Sequence, residues 1–540
     1  MSTSETATPN NGGRYQVVVA DGISESGLRP LLDDPRFDVL IAADGEALEA
    51  ALPAANALIV RSATKVTRSL IRRAGRIQVI GRAGVGVDNI DQDAATEMGA
   101  AVLNAPAGNT VSAAELTMAL ILSVVRKVAA ADRSVRAGEW QRKRFGGVEL
   151  RGRTLGLVGA GRIGGEVARR CKAFGMHVLA SDPYLTDERA RELGVERVEL
   201  DELKLRADVI SLHVPLTDRT RNMFAETQLR QLKRGAFLVN VARGGVVDEV
   251  ALVNVLTDGH LAGAALDVFD REPLPSESPL REAPNLVLTP HLGASTTEAQ
   301  ELVAEEIAEA VRAALVEGDL SRALNAPAIG GETFRKLLPL LELGRRLGRL
   351  GAGLAQGGIK ALEVRYAGDA ADAPLPLTSY VLMGLLGAIV GDDQVNFVNA
   401  PRLAETRGIG VSTHKLARRP DYMSFVELRV SGDRGYTRVA GALLGDEHPR
   451  VVRIADYHVD IVPQGSLLVL RNRDVPGVIG KVGTLLGRLN LNIAEYHQSR
   501  LAAGGEALAG VAVDGTVETA VLDELCGLPE IIDARLVQLG

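Results

Sequence analysis

The sequence predicts an α/β protein with two parallel sheets, each covered by helices and facing one another across a cleft, followed by an α+β region and a small domain of ferredoxin-like order. Three observations carry this expectation. Residues 155–182, LGLVGAGRIGGEVARRCKAFGMHVLASD, read as strand, Gly-rich turn, helix and second strand ending in an acid, the sequence form of a dinucleotide-binding βαβ unit. Short apolar runs alternate with helix-like segments from Tyr15 to about Pro290, the rhythm of parallel sheets. From Ser466 the order becomes strand, helix, strand, strand, helix, strand, a βαββαβ pattern.

Tyr15–Ala20 opens the first sheet, and the apolar runs Asp38–Ile41, Ala57–Val60, Ile77–Ile80 and Ala101–Leu103 continue it. One long helix is expected over Ser112–Ala137, with Asn109 or Thr110 as its N-cap. The strand Leu155–Val158 then leads into the Gly-rich turn. Gly159 permits the sharp reversal, Gly161 lets backbone approach a pyrophosphate, and Gly164 lets the helix pack closely on the strand. Free N–H groups at the helix start suit an anion. After Val178–Ala180, Asp182 stands where a carboxylate accepts the ribose hydroxyls and repels the extra phosphate of NADP, so NAD is the expected cofactor. With 58 glycines in the chain, an ordinary surface turn is the bland alternative. Strands Val209–Leu212, Phe237–Asn240, Ala264–Val268 and Leu286–Leu288 extend this second sheet to about Pro290, and the helix Thr296–Glu317 is expected to return to the first, making that domain discontinuous. Residues 326–465 read as a separate α+β domain with strands Lys360–Tyr366, Ser424–Val430 and Thr437–Ala440. The first helix of the last unit should start near Pro476, a residue suited to a first helical turn.

A chain of 540 residues implies several domains. A net charge of -7 argues against a generic nucleic-acid binder. Cys171 and Cys526 lie far apart without metal-ligand spacing, so buried reduced thiols and no metal are expected. No apolar run is long enough to span a bilayer, and the start, MSTSETATPNNGGR, has neither a basic cap nor an apolar core. A disordered tail over 1–14 and a cytoplasmic location are the expectation.

Three polar residues follow strand ends on the rim where open α/β sheets bind ligands: Arg243 in VNVARGGVVDE, Glu272 in DVFDREP and His291 in TPHLGAS. Hydride transfer between a hydroxy acid and NAD needs such a trio, namely a base for the hydroxyl proton, an acid to orient it and a cation for the carboxylate. Each residue alone has a bland reading as a loop hydrogen-bonder or a solvated charge. Their joint placement beside a nucleotide site is the signal.

The runs GRAGVGVDNID (81–91), GAGRIG (159–164), HVPLT (213–217), NVARGGVVDE (240–249), ALDVFDREP (265–273) and PHLGAS (290–295) together closely resemble the D-isomer-specific 2-hydroxyacid dehydrogenases over residues 15–325. NRDVPGVIGKVGTLLGRLNLNIAE (472–495) resembles an ACT domain. The resemblance implies a Rossmann-like NAD domain over 109–290, a discontinuous flavodoxin-like substrate domain over 15–108 and 291–325, an α+β intervening regulatory domain over 326–465 and a ferredoxin-like ACT regulatory domain over 466–540. It implies NAD-dependent oxidation of D-3-phosphoglycerate to 3-phosphohydroxypyruvate, the first committed step of L-serine biosynthesis, with L-serine as effector. Glyoxylate or hydroxypyruvate reduction, and a non-catalytic NAD-sensing binder, are the alternatives.

By the same resemblance His291 is the acid/base, Glu272 its partner and Arg243 the binder of carboxylate and carbonyl. Arg162 and Ile163 touch the pyrophosphate, Asp182 holds the ribose, and Val214 and Pro215 flank the adenine. Val241, Ala242, Asp267, Gly293 and Ala294 complete the cofactor site, with Val241 and Asp267 near the nicotinamide. Val85 stands where relatives acting on phosphoglycerate often carry Thr, leaving backbone contact with NAD there. The first domain should hold the rest of the substrate through Arg61, Ser62 and the Gly84–Gly86 turn, whose N–H groups suit a carboxylate. Arg61 is the choice for the phosphate, against a surface ion pair, and Asn109 is a further candidate that an N-cap explains equally well. Trp140, flanked by Arg142, Lys143 and Arg144, suggests a subunit interface, with Lys143 or Arg142 reaching the neighbouring site of a homodimer or homotetramer. Asn472, Asp474 and Asn492 are expected to hold the effector between two ACT domains.

Overall fold

The computed structural model describes residues 13–417, 422–445, 447–515 and 517–540, the side chain of Thr519 excepted; nearly all of the expected tail over 1–14 lies outside the described residues. Five parallel strands form the first sheet in the order Phe37–Ile41, Tyr15–Val19, Ala57–Val60, Val79–Arg82, Ala101–Asn104. Ala57–Val60 is apolar and buried throughout, as a strand covered on both faces must be. The helix Thr297–Glu317 packs back onto this sheet, its Val303, Ile307, Val311 and Leu315 sharing a core with Val17, Ile59 and Val79. The second sheet has seven parallel strands, in the order Leu286–Leu288, Gly263–Leu266, Phe237–Asn240, Val209–Leu212, Thr154–Val158, His177–Ser181, Glu196–Arg197. Chain order runs outward in both directions from Thr154–Val158, which places the Gly-rich turn at the switch point where such sheets bind nucleotides.

The expected helix over Ser112–Ala137 is two helices, Thr110–Val125 and Val128–Arg136, parted at Lys127, which is left-handed at φ 54°. The cause is a competing donor: the Val125 carbonyl accepts the Val148 N–H at 3.0 Å. Asn109 holds the N-cap position, but its side chain makes no capping bond.

A six-stranded sheet follows, ordered Gly410–Lys415, Ile359–Ala367, Ser424–Gly432, Gly435–Leu444, His448–Ile454, Tyr457–Ile461, antiparallel except for its first pair. Gly331–Leu354 and Pro374–Val390 cover one face. The last sheet is antiparallel, ordered Ile493–Arg500, Glu506–Val513, Ser466–Arg473, Ile531–Gln538, the order a ferredoxin-like βαββαβ unit produces. Its first helix, Val478–Arg488, starts two residues beyond Pro476 because Gly477 is left-handed at φ 93°. One face of this sheet carries the unit's own helices. The other contributes Leu467, Val469, Leu508 and Val537 to the same core as Leu347, Leu350 and Val430 of the preceding domain. Cys171 is buried as expected, whereas Cys526, the last residue of the helix Thr519–Cys526, is exposed. No helix among the described residues is long and apolar enough to cross a membrane.

Candidate active site

Asn240, buried at the end of Phe237–Asn240, fixes the next turn by donating to the Arg243 carbonyl at 2.8 Å and accepting the Ala242 N–H at 3.0 Å. This aims Arg243 into the cleft. Glu272 and His291 come from the loops after Gly263–Leu266 and Leu286–Leu288. Nδ1 of His291 lies 2.7 Å from Oε2 of Glu272, whose Oε1 accepts the Phe269 N–H at 3.0 Å. Nε2 is thus the ring nitrogen left for a substrate. Burial pushes the Glu272 carboxyl up, but the bonds from His291 and Phe269, with Arg243 nearby, outweigh it and hold the group below its ordinary value. His291 is itself left-handed at φ 54°, a conformation that side chains adopt at a cost and that clusters at functional sites. Asp267 braces it. This fully buried carboxylate accepts the Thr289 hydroxyl and the Leu292 and Gly293 N–H groups, while its backbone carbonyl accepts the His291 N–H. Burial raises its carboxyl above the ordinary value against the pull of those bonds. The resemblance puts Asp267 near the nicotinamide; in the structure its oxygens are engaged beneath the His291 loop.

Across the cleft, Arg61 and Ser62 follow Ala57–Val60. Asp21 pins this turn by accepting the Arg61 N–H at 2.8 Å and the Thr64 N–H at 3.0 Å. A cavity of about 640 Å³ is lined by Ser62, Arg82, Gly86, Arg243, Glu272 and His291. An adjoining one of about 250 Å³ reaches Arg61 and Ala294. Sequence reasoning missed Arg82. It ends the strand Val79–Arg82, its Nε is buried without a partner, and burial, reinforced by Arg243 and Arg61, pushes its guanidinium down to about 10. A charged residue closing a buried parallel strand in GRAGVG was the available signal. Gly84 and Gly86 shape the loop beside it, and Asn104 donates to the Val85 carbonyl at 2.7 Å. Asn109, whose Oδ1 is buried without a partner, and Lys143, exposed on the turn Arg142–Phe145, do not line these cavities. Trp140 is 79% exposed.

In the nucleotide turn the three glycines differ in kind. Gly159 has φ 93°, and a Cβ there would strike the His213 carbonyl; one at Gly164 would strike the Gly159 carbonyl. At Gly161 a Cβ would meet nothing within 4 Å, so the space above it is open to a ligand. Arg162 and Ile163 begin the helix Arg162–Ala173. Asp182 accepts the Ala160 N–H at 2.9 Å and the Tyr184 N–H at 2.8 Å, which leaves lone pairs for ribose hydroxyls. Val214, half-buried, and Pro215, exposed, follow Val209–Leu212, and Val241 and Ala242 follow Phe237–Asn240. Gly293, whose carbonyl accepts the Ser112 hydroxyl, and Ala294 follow His291. These residues form one continuous rim and fit a dinucleotide.

The three effector candidates are not brought together within one chain. Buried Asn472 donates to the Arg473 carbonyl, and Asp474 accepts from Arg500 at 3.0 Å and from the Gly504 N–H. Asn492 donates to Asp514 at 2.6 Å. Ile493 and Ser466 both pair with Val513, so Asn492 lies at the opposite end of the sheet from Asn472, which pairs with Ala507.

A doubly wound sheet with an open glycine turn, a His–Glu pair and arginines facing it across a cleft defines an NAD-dependent 2-hydroxyacid dehydrogenase. Residues 118–293 match the D-isomer specific 2-hydroxyacid dehydrogenase NAD binding domain, and residues 336–455 match the D-3-phosphoglycerate dehydrogenase intervening domain. The chain is 39% identical over 528 residues to D-3-phosphoglycerate dehydrogenase of Bacillus subtilis, covering 97% of this chain and 100% of that one. With the Archaeoglobus fulgidus enzyme of the same name the identity is 40%, with the same coverage. Among solved structures, the D-lactate dehydrogenase of Aquifex aeolicus complexed with NAD and lactic acid superposes with a TM-score of 0.50 at 32% identity, over 57% of this chain and 97% of that one. The chain belongs to the D-3-phosphoglycerate dehydrogenase family, and its cofactor is NAD.

Proposed function

We propose that the protein oxidises the 2-hydroxyl of D-3-phosphoglycerate to give 3-phosphohydroxypyruvate, acting in the cytoplasm on the route to L-serine. The observation that carries this reading is the convergence of Arg243, Arg82 and Arg61 on the cleft that holds the His291–Glu272 pair, since the substrate brings both a carboxylate and a phosphate. Arg243 holds the carboxylate and polarises the developing carbonyl. Arg61, with Arg82 beside it, takes the phosphate, for which a planar guanidinium is suited. NAD, which the glycine turn 159–164 and Asp182 would hold, would supply the hydride acceptor for C2. The hydroxyl proton passes to Nε2 of His291, and Glu272 on Nδ1 stabilises the imidazolium that forms. NADH formation at alkaline pH tests this. Turnover of D-3-phosphoglycerate far above that of unphosphorylated glycerate is expected; equal rates would remove the phosphate role of Arg61, and saturable NAD binding without turnover would indicate a binder.

We infer further that the C-terminal βαββαβ unit is an ACT-type regulatory module whose effector is L-serine. Because Asn472 and Asp474 stand at one end of its sheet and Asn492 at the other, two copies must meet to bring them together. A homodimer or homotetramer follows, with Trp140 and Lys143 available for a second contact. Serine titration by calorimetry is the check: Asp474→Ala should abolish binding, and no binding to the parent chain at millimolar serine would leave the module an assembly device.

A further inference from the structure

The loop 83–91 carries Asp88, which no step above uses. Its Oδ2 accepts from Nε of Arg243 at 3.1 Å, a bond that spans the cleft from the first sheet to the second. The loop is not free to follow Arg243, because Asn89 donates to both the Arg61 and Thr64 carbonyls at 2.7 Å and Asn104 holds Val85. Gly86 gives the guanidinium room: a Cβ there would overlap Nη2 of Arg243 and come within 2.9 Å of the Asp88 carboxylate. The loop is therefore shaped around this pair, and the group presented to Arg243 is a carboxylate.

We propose that Asp88 is a built-in stand-in for the substrate carboxylate: it holds Arg243 across the cleft in the free enzyme and is displaced when the substrate binds. The proposal rests on Arg243 as the carboxylate binder. Asp88 thereby acts as a positioning residue that keeps the guanidinium aimed at the cleft, at the cost of competing for it. A substrate that binds only when the pair is open binds more weakly by the fraction of time it is closed. The Asp88 side chain is 68% exposed, so the pair belongs among weak surface ion pairs, and its competition should weaken substrate by about two- to sixfold.

The experiment is a double-mutant cycle on the full chain, read by calorimetric binding of D-3-phosphoglycerate in the presence of NADH, with KM and kcat measured alongside. Asp88→Asn should tighten binding and lower KM by about two- to sixfold, with kcat moving less. In an Arg243→Ala background, Asp88→Asn should no longer change the dissociation constant. Tightening that persists without Arg243 would show a general field effect and overturn the proposal, and weaker binding by Asp88→Asn alone would overturn it too. If Arg243→Ala itself leaves binding unchanged, the carboxylate role of Arg243 fails, and this proposal falls with it.

Discussion

The carboxylate of Asp267 holds the Leu292 and Gly293 amides at 2.7 and 2.9 Å, so the end of one strand and the loop bearing His291 are locked together from beneath. Asp267→Asn replaces one acceptor by an N–H donor that would face a buried N–H, and an unsatisfied buried donor costs about 1–3 kcal/mol. The expected result is a drop in kcat from a misplaced His291 together with a lower unfolding temperature. Unchanged kcat in this variant would show that the loop holds itself.

His291→Ala should lower kcat by about two to four powers of ten, the usual worth of general acid/base catalysis, and leave NAD affinity nearly unchanged. Stopped-flow turnover beside NAD titration tests this. A near-normal kcat would take the histidine out of the chemistry.

Asp182 keeps lone pairs free beyond its bonds to Ala160 and Tyr184. Replacing it by Ser or Arg should weaken NAD and shift the ratio of NAD to NADP efficiency toward NADP, because the anionic repulsion of the extra phosphate is lost. The same ratio in parent and variant would reduce Asp182 to a brace for the glycine turn.

His213, whose Nε2 lies 2.8 Å from the Ser211 hydroxyl, is held neutral because burial of its ring disfavours the charged form, which lowers it from 6.5 to about 4. Between these values the unfolded chain binds a proton that the folded one refuses. Stability therefore falls as pH drops through this interval, by up to about 1.4 kcal/mol per pH unit. Denaturant unfolding of the parent and of His213→Gln from pH 7 to 4.5 should show a shallower acid limb in the variant; parallel curves would place the loss of stability in other groups.

The glycine turn and the Arg243, Glu272 and His291 trio were legible because their chemistry sits where local rules put it, just past strand ends and at a helix start. The turn at Lys127 was hidden because the donor that diverts the Val125 carbonyl comes from Val148, outside the helical pattern. Arg82 stood just past the expected run Ile77–Ile80 and within GRAGVGVDNID, where attention went to the glycines; the strand in fact runs on to Arg82 and carries its side chain to the cleft. Asp21, Asn89 and Asp267 act as braces through partners tens of residues away, and nothing in their own neighbourhoods announces it. Three strands of the intervening sheet went unread, and of these Gly410–Lys415 is an edge strand with mostly exposed residues, which leaves little apolar pattern.

The apolar face that the last sheet turns toward Leu347 and Leu350 bears on modularity. A cut near residue 465 would release a fragment with Leu467, Val469, Leu508 and Val537 bared to water, a continuous oily surface of the kind that drives clumping. Excised alone, the C-terminal piece should be sticky or oligomeric, whereas a fragment beginning near Ile329 would carry its own cover. Domain borders that look clean in sequence are thus poor places to cut this chain, and grafting its terminal module onto another enzyme would require the intervening sheet to travel with it.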